Sequence, residues 1–138
     1  MAISHYEILQ MSKSLALKDD DEVVLRAAIG RAYYSMFHAS HELVGGHIPK
    51  NHPIPGKIFK GGTHARLSQY LADCAESLHP EHIRSLQLLS VKLKMCHKIR
   101  CEADYELTHN MNRSQLENIV KDAEIAQDLV NQIKVQVA

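Results

Sequence analysis

The sequence predicts an all-α protein, folded as an antiparallel bundle of four to five helices. Apolar residues recur three and four positions apart in several segments, which is the pattern of helices with one buried face. No segment alternates between apolar and polar residues for long enough to predict a strand. The 138 residues are 45 % hydrophobic and 23 % charged, which favours one globular domain over residues 1–138.

The first two helices are marked by residues typical of helix ends. Ser4 and Glu7 form the capping-box pattern S-x-x-E, which predicts the start of the first helix. The acidic run at 19–22 predicts the start of the second, because carboxylates complement the positive end of a helix dipole. Gly45 and Gly46 predict its end, since glycine readily adopts the left-handed conformation of a C-cap.

Three further helices are predicted after a long irregular segment. Residues 45–62 contain three prolines and five glycines, so we expect a loop there, of a length that is often functional. Thr63 predicts the N-cap of a third helix that runs to about residue 77. Pro80 suits the first turn of a fourth helix that continues to about residue 100. A second S-x-x-E box at 114–117 predicts the start of the last helix.

Charge and cysteine content narrow the class of protein. The formal net charge is zero, which excludes a global basic field for nucleic acid but leaves room for a local basic patch. Three cysteines without a C-x-x-C spacing favour a reducing compartment, so we expect a cytoplasmic protein without disulfides. Cys96, His97 and Cys101 do not supply a converging zinc set, and we therefore expect no metal site.

Nothing in the sequence predicts a membrane protein. No apolar run approaches the ~20 residues that a spanning helix needs. The first residues lack the charged-then-apolar pattern of a signal peptide. We therefore expect no membrane partner.

Three stretches together resemble a known family. LRAAIGRAYYSMFHASHELV, residues 25–44, is similar to the second helix of bacterial and archaeal HEPN-domain proteins, where S-R-A-Y-Y-A-x-F-H-A-A is common. RCEADYEL, residues 100–107, resembles the R-x-x-A-D-Y segment that follows the family's fourth helix. KGGTHARL, residues 60–67, resembles the family's entry into the third helix, and the order and spacing fit over nearly the whole chain.

This resemblance implies a helical bundle, usually a homodimer, that acts in toxin–antitoxin or defence systems. Many HEPN domains are metal-independent endoribonucleases whose signature is an arginine followed, after four to six residues, by a histidine. Two such histidines meet across the dimer interface. Other members are non-catalytic and bind RNA, a nucleotide or a partner nucleotidyltransferase.

Metal-free RNA cleavage explains why those residue types are needed. The 2′-hydroxyl is the nucleophile, a neutral histidine can accept its proton, and a cationic histidine can protonate the leaving 5′-oxygen. The fork of an arginine can hold the phosphate and stabilise the charge of the transition state. Such an enzyme needs no cofactor and no metal ion.

The R-x-x-A-D-Y segment lacks the histidine of this signature. After Arg100 and four intervening residues the chain has Tyr105, a poor base at neutral pH because the tyrosine pKa is about 10. The next histidine is His109, beyond eight intervening residues. Arg100 with His109 is therefore one candidate catalytic pair, and an ion pair between Arg100 and Asp104, four residues apart, is the structural alternative.

The second candidate pair is Arg31 with His38 on the second helix. Six residues separate them, and helical geometry places them on one face about 10.5 Å apart along the axis. A phosphodiester could bridge two long side chains over that distance. The alternative is that both are buried polar groups bonded to other helices, where they fix the helix register.

These residues converge if the second and fourth helices touch. The predicted cluster consists of Arg31, Tyr34, His38, Arg100, Asp104 and Tyr105. His64 at the start of the third helix either adds a cation near this cluster or lies in solvent, and Lys60 makes the preceding loop locally basic.

Three hypotheses about function follow. The first is a metal-independent endoribonuclease that uses Arg31 or Arg100 for phosphate and His38 or His109 for protons. The second is a non-catalytic homodimeric module that binds RNA, a nucleotide or a nucleotidyltransferase, which the tyrosine at position 105 favours. The third is a structural role in a larger complex, which predicts an exposed apolar patch.

Overall fold

The computed structural model describes residues 3–18 and 21–137, and this part of the chain is a helical bundle without β-strands. The elements are α1 (His5–Lys18), α2 (Glu22–Glu42), α3 (Thr63–Asp73), α4 (Ala75–Leu78), a 3₁₀ turn (Pro80–His82), α5 (Ile83–Tyr105) and α6 (Arg113–Val137). The predicted all-α class is confirmed, with one short helix more than predicted. None of the described helices combines the length and apolar content that crossing a bilayer requires.

Helix α2 is the centre of the bundle, and α1, α5 and α6 pack around it. Its residues Ala28, Ile29, Ala32, Tyr33 and Met36 are each at most 1 % exposed. The small side chains among them let the neighbouring helices approach closely. Helix α3 lies outside this group and packs on α5. The second helix and the helix that carries the RCEADY segment are in contact, which is the condition that the proposed cluster required.

Buried Arg26 fixes where α5 ends. Its guanidinium donates to the carbonyl oxygens of Glu102, Ala103, Glu106 and His109, the first three at 3.3, 2.8 and 3.3 Å. The carbonyls of Glu102 and Glu106 also accept one backbone N–H each, at 2.9 and 3.0 Å, so Arg26 adds a charged donor to the last turn of α5 and to the residues that follow it. Helix α5 therefore continues to Tyr105, beyond the predicted end near residue 100.

The predicted starts of the first two helices and the glycine turn after the second are confirmed where they fall on described residues. The backbone N–H of Glu7 donates to the hydroxyl of Ser4 at 3.4 Å, as in a capping box. Asp21 is the N-cap of α2, and its carboxylate accepts from the N–H of Val23 at 2.9 Å. Gly46 has a φ of +73° and donates to His41 O at 3.0 Å, which completes the turn after α2. Positions 19 and 20 of the acidic run lie outside the described residues.

The third predicted helix is wrong at both ends. Thr63 is the first helical residue, and the N-cap is Gly62, which offers no side-chain acceptor. The helix ends at Asp73, and α4 follows as a separate short helix rather than continuing to residue 77. Pro80 begins a 3₁₀ turn, not the first turn of α5.

The predicted capping box of the last helix is also wrong. Asn112 and Gln115 form it instead: the side chain of each accepts the backbone N–H of the other, at 3.0 and 2.9 Å. The helix consequently begins at Arg113. The neighbouring N–H of Met111 donates to the carboxylate of Glu22 at 2.9 Å, which anchors this entry on α2.

The predicted loop at 45–62 is confirmed as irregular, and side chains of α3 hold it. The amide of Gln69 accepts from the N–H of Lys60 at 3.0 Å and donates to its carbonyl at 2.6 Å. The ring of His52 lies 2.9 Å from the carboxylate of Asp73. The loop is thereby fixed along the second half of α3.

Candidate functional site

The doubled tyrosine of α2 separates a core position from a surface position. Tyr33 is 1 % exposed, and its hydroxyl lies 2.7 Å from Nδ1 of His64 on α3. Tyr34 is half-buried, and its ring stacks on His38 with centroids 6.4 Å apart. Neighbours on a helix point about 100° apart, so one tyrosine enters the bundle while the other faces outward.

Arg100 lies between the two tyrosines and is 7 % exposed. Its guanidinium carbon lies 5.6 Å from the ring centre of Tyr33 and 5.4 Å from that of Tyr34. Its Nη1 donates to Asp104 at 3.1 Å, so the predicted ion pair is present. Its Nε is buried and has no partner among the residues that the structure describes.

The neighbours of Arg100 stabilise its charged form. Burial alone would lower the pKa of Arg100, but the hydrogen bond to Asp104 and the nearby Tyr34 raise it above its ordinary value. Arg100 is therefore a fixed, paired cation that supports the packing of α2 on α5. Its guanidinium does not project into solvent.

His64 and His97 form a stacked imidazole pair next to this arginine. Their centroids lie 4.9 Å apart with an angle of 11° between the rings. The Nε2 of His97 lies 3.6 Å from the sulfur of Cys101. Burial, then the neighbouring His97 and Arg100, lower the pKa of His64 to about 4, and burial followed by Arg100 lowers the pKa of His97.

His64 is consequently neutral at pH 7, and the expectation that it adds a cation to the cluster is wrong. Burial raises the pKa of the Tyr33 hydroxyl, so this phenol keeps its proton. The phenol and Nδ1 of the neutral His64 ring share one hydrogen bond, which fixes the orientation of the imidazole.

The exposed face of α2 is formed by Arg31, Tyr34 and His38, which we call the α2 strip. Arg31 and His38 are exposed, so the alternative in which both are buried polar groups is wrong. Arg31 makes no hydrogen bond or ion pair with any described residue. The strip therefore offers a free guanidinium, a half-exposed aromatic ring and an imidazole in succession along one helix.

A groove of about 550 Å³ lies between α3 and α5, and we call it the α3–α5 groove. Its lining includes Lys60, His64, Ser68, Ser90, Lys94 and His97. Lys60 and Lys94 are exposed, and within the described ranges no carboxylate pairs with either ammonium group. His64 connects the groove to the α2 strip, since its ring also contacts Tyr34 with centroids 6.1 Å apart.

Two predicted site residues lie outside this arrangement. Tyr105 is 72 % exposed at the end of α5, and its side chain contacts no member of the cluster. His109 follows the helix, and its Nδ1 lies 3.8 Å from the carboxylate of Glu102. No described hydrogen bond or ion pair connects His109 with Arg100. Described contacts therefore join four members of the predicted cluster, Tyr34, His38, Arg100 and Asp104, but neither Arg31 nor Tyr105. The candidate pair of Arg100 with His109 does not form.

Sequence reasoning missed Lys94 and His97 as members of the site. The signal was present, because Lys94, His97 and Cys101 are spaced three and four residues apart and share one side of a helix. What the sequence lacked was evidence that α3 crosses this side of α5.

The described residues contain no group of three or more ligating side chains that could hold a metal ion. The chemistry available at the site is anion binding through Arg31, Lys60 and Lys94, stacking on Tyr34, and hydrogen bonding from imidazoles. Comparisons with family models, curated proteins and solved structures returned no match for this chain.

Proposed function

We propose that this protein is a HEPN-like, non-catalytic RNA-binding module of a prokaryotic toxin–antitoxin or defence system, acting in the cytoplasm as a homodimer. The observation that carries the proposal is the α2 strip, where exposed Arg31 and His38 flank the half-exposed ring of Tyr34. Proteins recognise single-stranded RNA by stacking bases on aromatic rings and neutralising phosphates with basic side chains. Lys60 and Lys94 extend the basic surface into the α3–α5 groove.

The state of the other candidate groups supports binding over cleavage. The guanidinium of Arg100 is buried and paired with Asp104, so it offers no open fork to a phosphate. The pKa of His64, about 4, makes this imidazole a weak general base at neutral pH. His109 lies apart, next to Glu102.

A second function, metal-independent endoribonuclease activity, is favoured by one observation. Arg31 and His38 are both exposed on α2, at the spacing that the sequence suggested. In this mechanism Arg31 would hold the scissile phosphate and His38 would accept the 2′-hydroxyl proton. The second imidazole, which protonates the leaving oxygen, would come from His38 of another copy in the homodimer.

RNA binding is tested by fluorescence anisotropy with labelled single-stranded RNA at several salt concentrations. We expect Arg31→Ala to weaken binding and to reduce the slope of log K against log salt by about one, as loss of one phosphate contact requires. Tyr34→Ala should weaken binding roughly five- to a hundredfold, the range for one stacked base, while Tyr34→Phe should retain it. Lys121→Ala, an exposed change on α6 outside the strip and groove, is the matched control.

The same RNA incubated with EDTA separates the two functions. Binding without cleavage supports the module, whereas cleavage that His38→Ala abolishes in a folded protein supports the enzyme. If folded wild type does not bind RNA, the proposal fails, and a partner nucleotidyltransferase becomes the next candidate. Sedimentation of the wild type tests the homodimer.

A further inference from the structure

The outward face of α5 carries an apolar stripe that no described element covers. Leu88, Val91 and Met95 are spaced three and four residues apart, so they form one ridge along the helix. They are 45, 55 and 59 % exposed, although leucine, valine and methionine are usually buried. The opposite sides of α5 pack on α2, α3 and α6.

Basic side chains border this ridge. Residues 83–101 contain no aspartate or glutamate, and their basic residues are Arg84, Lys92, Lys94, Lys98 and Arg100. Two of these are neutralised within the chain, Lys92 by Asp122 at 2.8 Å and Arg100 by Asp104. The other three are exposed and have no carboxylate partner among the residues described.

We propose that this face of α5 docks an acidic amphipathic helix of a partner protein, whose apolar ridge covers Leu88, Val91 and Met95. Carboxylates beside that ridge would face Arg84, Lys94 and Lys98. The stretch from Arg84 to Lys98 is about 21 Å long, or four helical turns, which matches the anchors at i, i+3, i+4 and i+7 that docking helices use.

Charge complementarity selects this occupant over two others. A second copy of the chain on the same face would bring basic residues against basic residues, and like charges across an interface oppose association. RNA would satisfy the charges, but its phosphates would leave the apolar ridge in water. A helix with an apolar ridge and acidic borders satisfies both features. The ridge is separate from the α2 strip, and of Arg84, Lys94 and Lys98 only Lys94 also lines the α3–α5 groove, so this proposal does not depend on RNA binding.

The test uses three synthetic helical peptides of equal length. The first has leucines at i, i+3, i+4 and i+7 bordered by glutamates, the second has lysines in place of the glutamates, and the third has serines in place of the leucines. We expect the glutamate peptide to bind wild type measurably by calorimetry and the other two to bind at least roughly tenfold more weakly.

Matched variants locate the binding surface. Met95→Ser and Lys98→Glu should each weaken binding of the glutamate peptide roughly tenfold, because the first removes part of the apolar ridge and the second removes one of its cations. Met11→Ser on α1, where Met11 is 54 % exposed, and Lys121→Glu on α6 are the controls and should bind like wild type. All four changes are at exposed positions, and circular dichroism verifies that each variant is folded.

Four results would overturn the proposal. The first is failure of the glutamate peptide to bind folded wild type, and the second is equal binding of the lysine peptide. The third is a homodimer that Met95→Ser dissociates, which would assign the face to a second copy. Loss of RNA binding in Met95→Ser with peptide binding unchanged would likewise assign it to RNA.

Discussion

A hydrogen bond of 2.7 Å between the hydroxyl of Tyr33 and Nδ1 of His64 connects the most buried ring of α2 with the first turn of α3. His64 supplies both this hydrogen bond and a ring contact with Phe37, at 4.4 Å between centroids. A single imidazole therefore links the core helix to the outer helix. Burial, then the neighbouring His97 and Arg100, favour the neutral form of this ring.

The stability of the protein should fall as the pH drops below about 6.5. The pKa of His64 is about 4 in the folded chain and about 6.5 when unfolded, so the unfolded chain binds the proton first. The stabilisation is complete above the unfolded pKa and is lost as the pH falls toward the folded one. The lowered pKa values of His5, His41 and His97 act in the same direction.

Urea unfolding between about pH 7 and pH 4.5 measures this dependence. We expect His64→Gln to have a shallower loss of stability than wild type over that range. His47→Gln, an exposed change after α2, should keep the wild-type dependence. Parallel curves for wild type and His64→Gln would contradict the assignment.

Arg26→Met should lower the free energy of unfolding by about 3 kcal/mol, because buried carbonyls at the end of α5 lose a charged donor. Arg31→Met is the matched control on the same helix and should change it by less than about 0.5 kcal/mol, since Arg31 is exposed. Chemical denaturation of both variants gives the comparison. Equal effects would mean that the contacts of Arg26 with α5 add nothing to stability.

Gly30→Ala should raise the free energy of unfolding by up to about 1 kcal/mol, the difference in helix propensity. A methyl group at this position would meet only the carboxylate oxygen of Asp104, at an ordinary contact distance of 3.9 Å. Gly46→Ala makes the same chemical change at a φ of +73° and should destabilise by about 1 kcal/mol. Thermal unfolding of the pair tests both signs, and a destabilised Gly30→Ala would show that α2 and α5 have no room for the methyl group.

Asp104→Asn should tighten RNA binding roughly threefold at low salt. A threefold change lies within the ~1 kcal/mol that one exposed charge interaction contributes at most. The carboxylate of Asp104 neutralises Arg100 beside the α2 strip, so its removal makes the surface more positive. The gain should shrink as salt screens the charge. Asp128→Asn, an exposed change on α6, is the control, and an equal gain in both variants would point to net charge alone.

The elements that local sequence encodes were predictable. Amphipathic spacing identified the long helices, and Ser4 with Glu7 marked the first start correctly. The ion pair of Arg100 with Asp104 followed from a four-residue spacing on one helix. These features depend on residues that are close in the chain, where helical geometry fixes their separation.

The features that depend on distant residues were not predictable. Two capping boxes are possible at the start of the last helix, one at Asn112 and one at Ser114. The box at Asn112 forms, next to the N–H of Met111, which is bonded to the distant Glu22. Likewise, α2 carries Arg26 and Arg31, and nothing in the local sequence indicates which of the two is buried. Arg26 is the buried one, because the end of α5 lies against it.

The position of α3 at the edge of the bundle, packed on α5 and joined to α2 through His64, has a consequence for dynamics. Helix α2 has three helical neighbours, so its amide protons should exchange with solvent only on global unfolding, while those of α3 should exchange through a smaller local opening. The α3–α5 groove would then change width without disturbing the core. We therefore expect a rigid α2 strip beside an α3–α5 groove whose width varies.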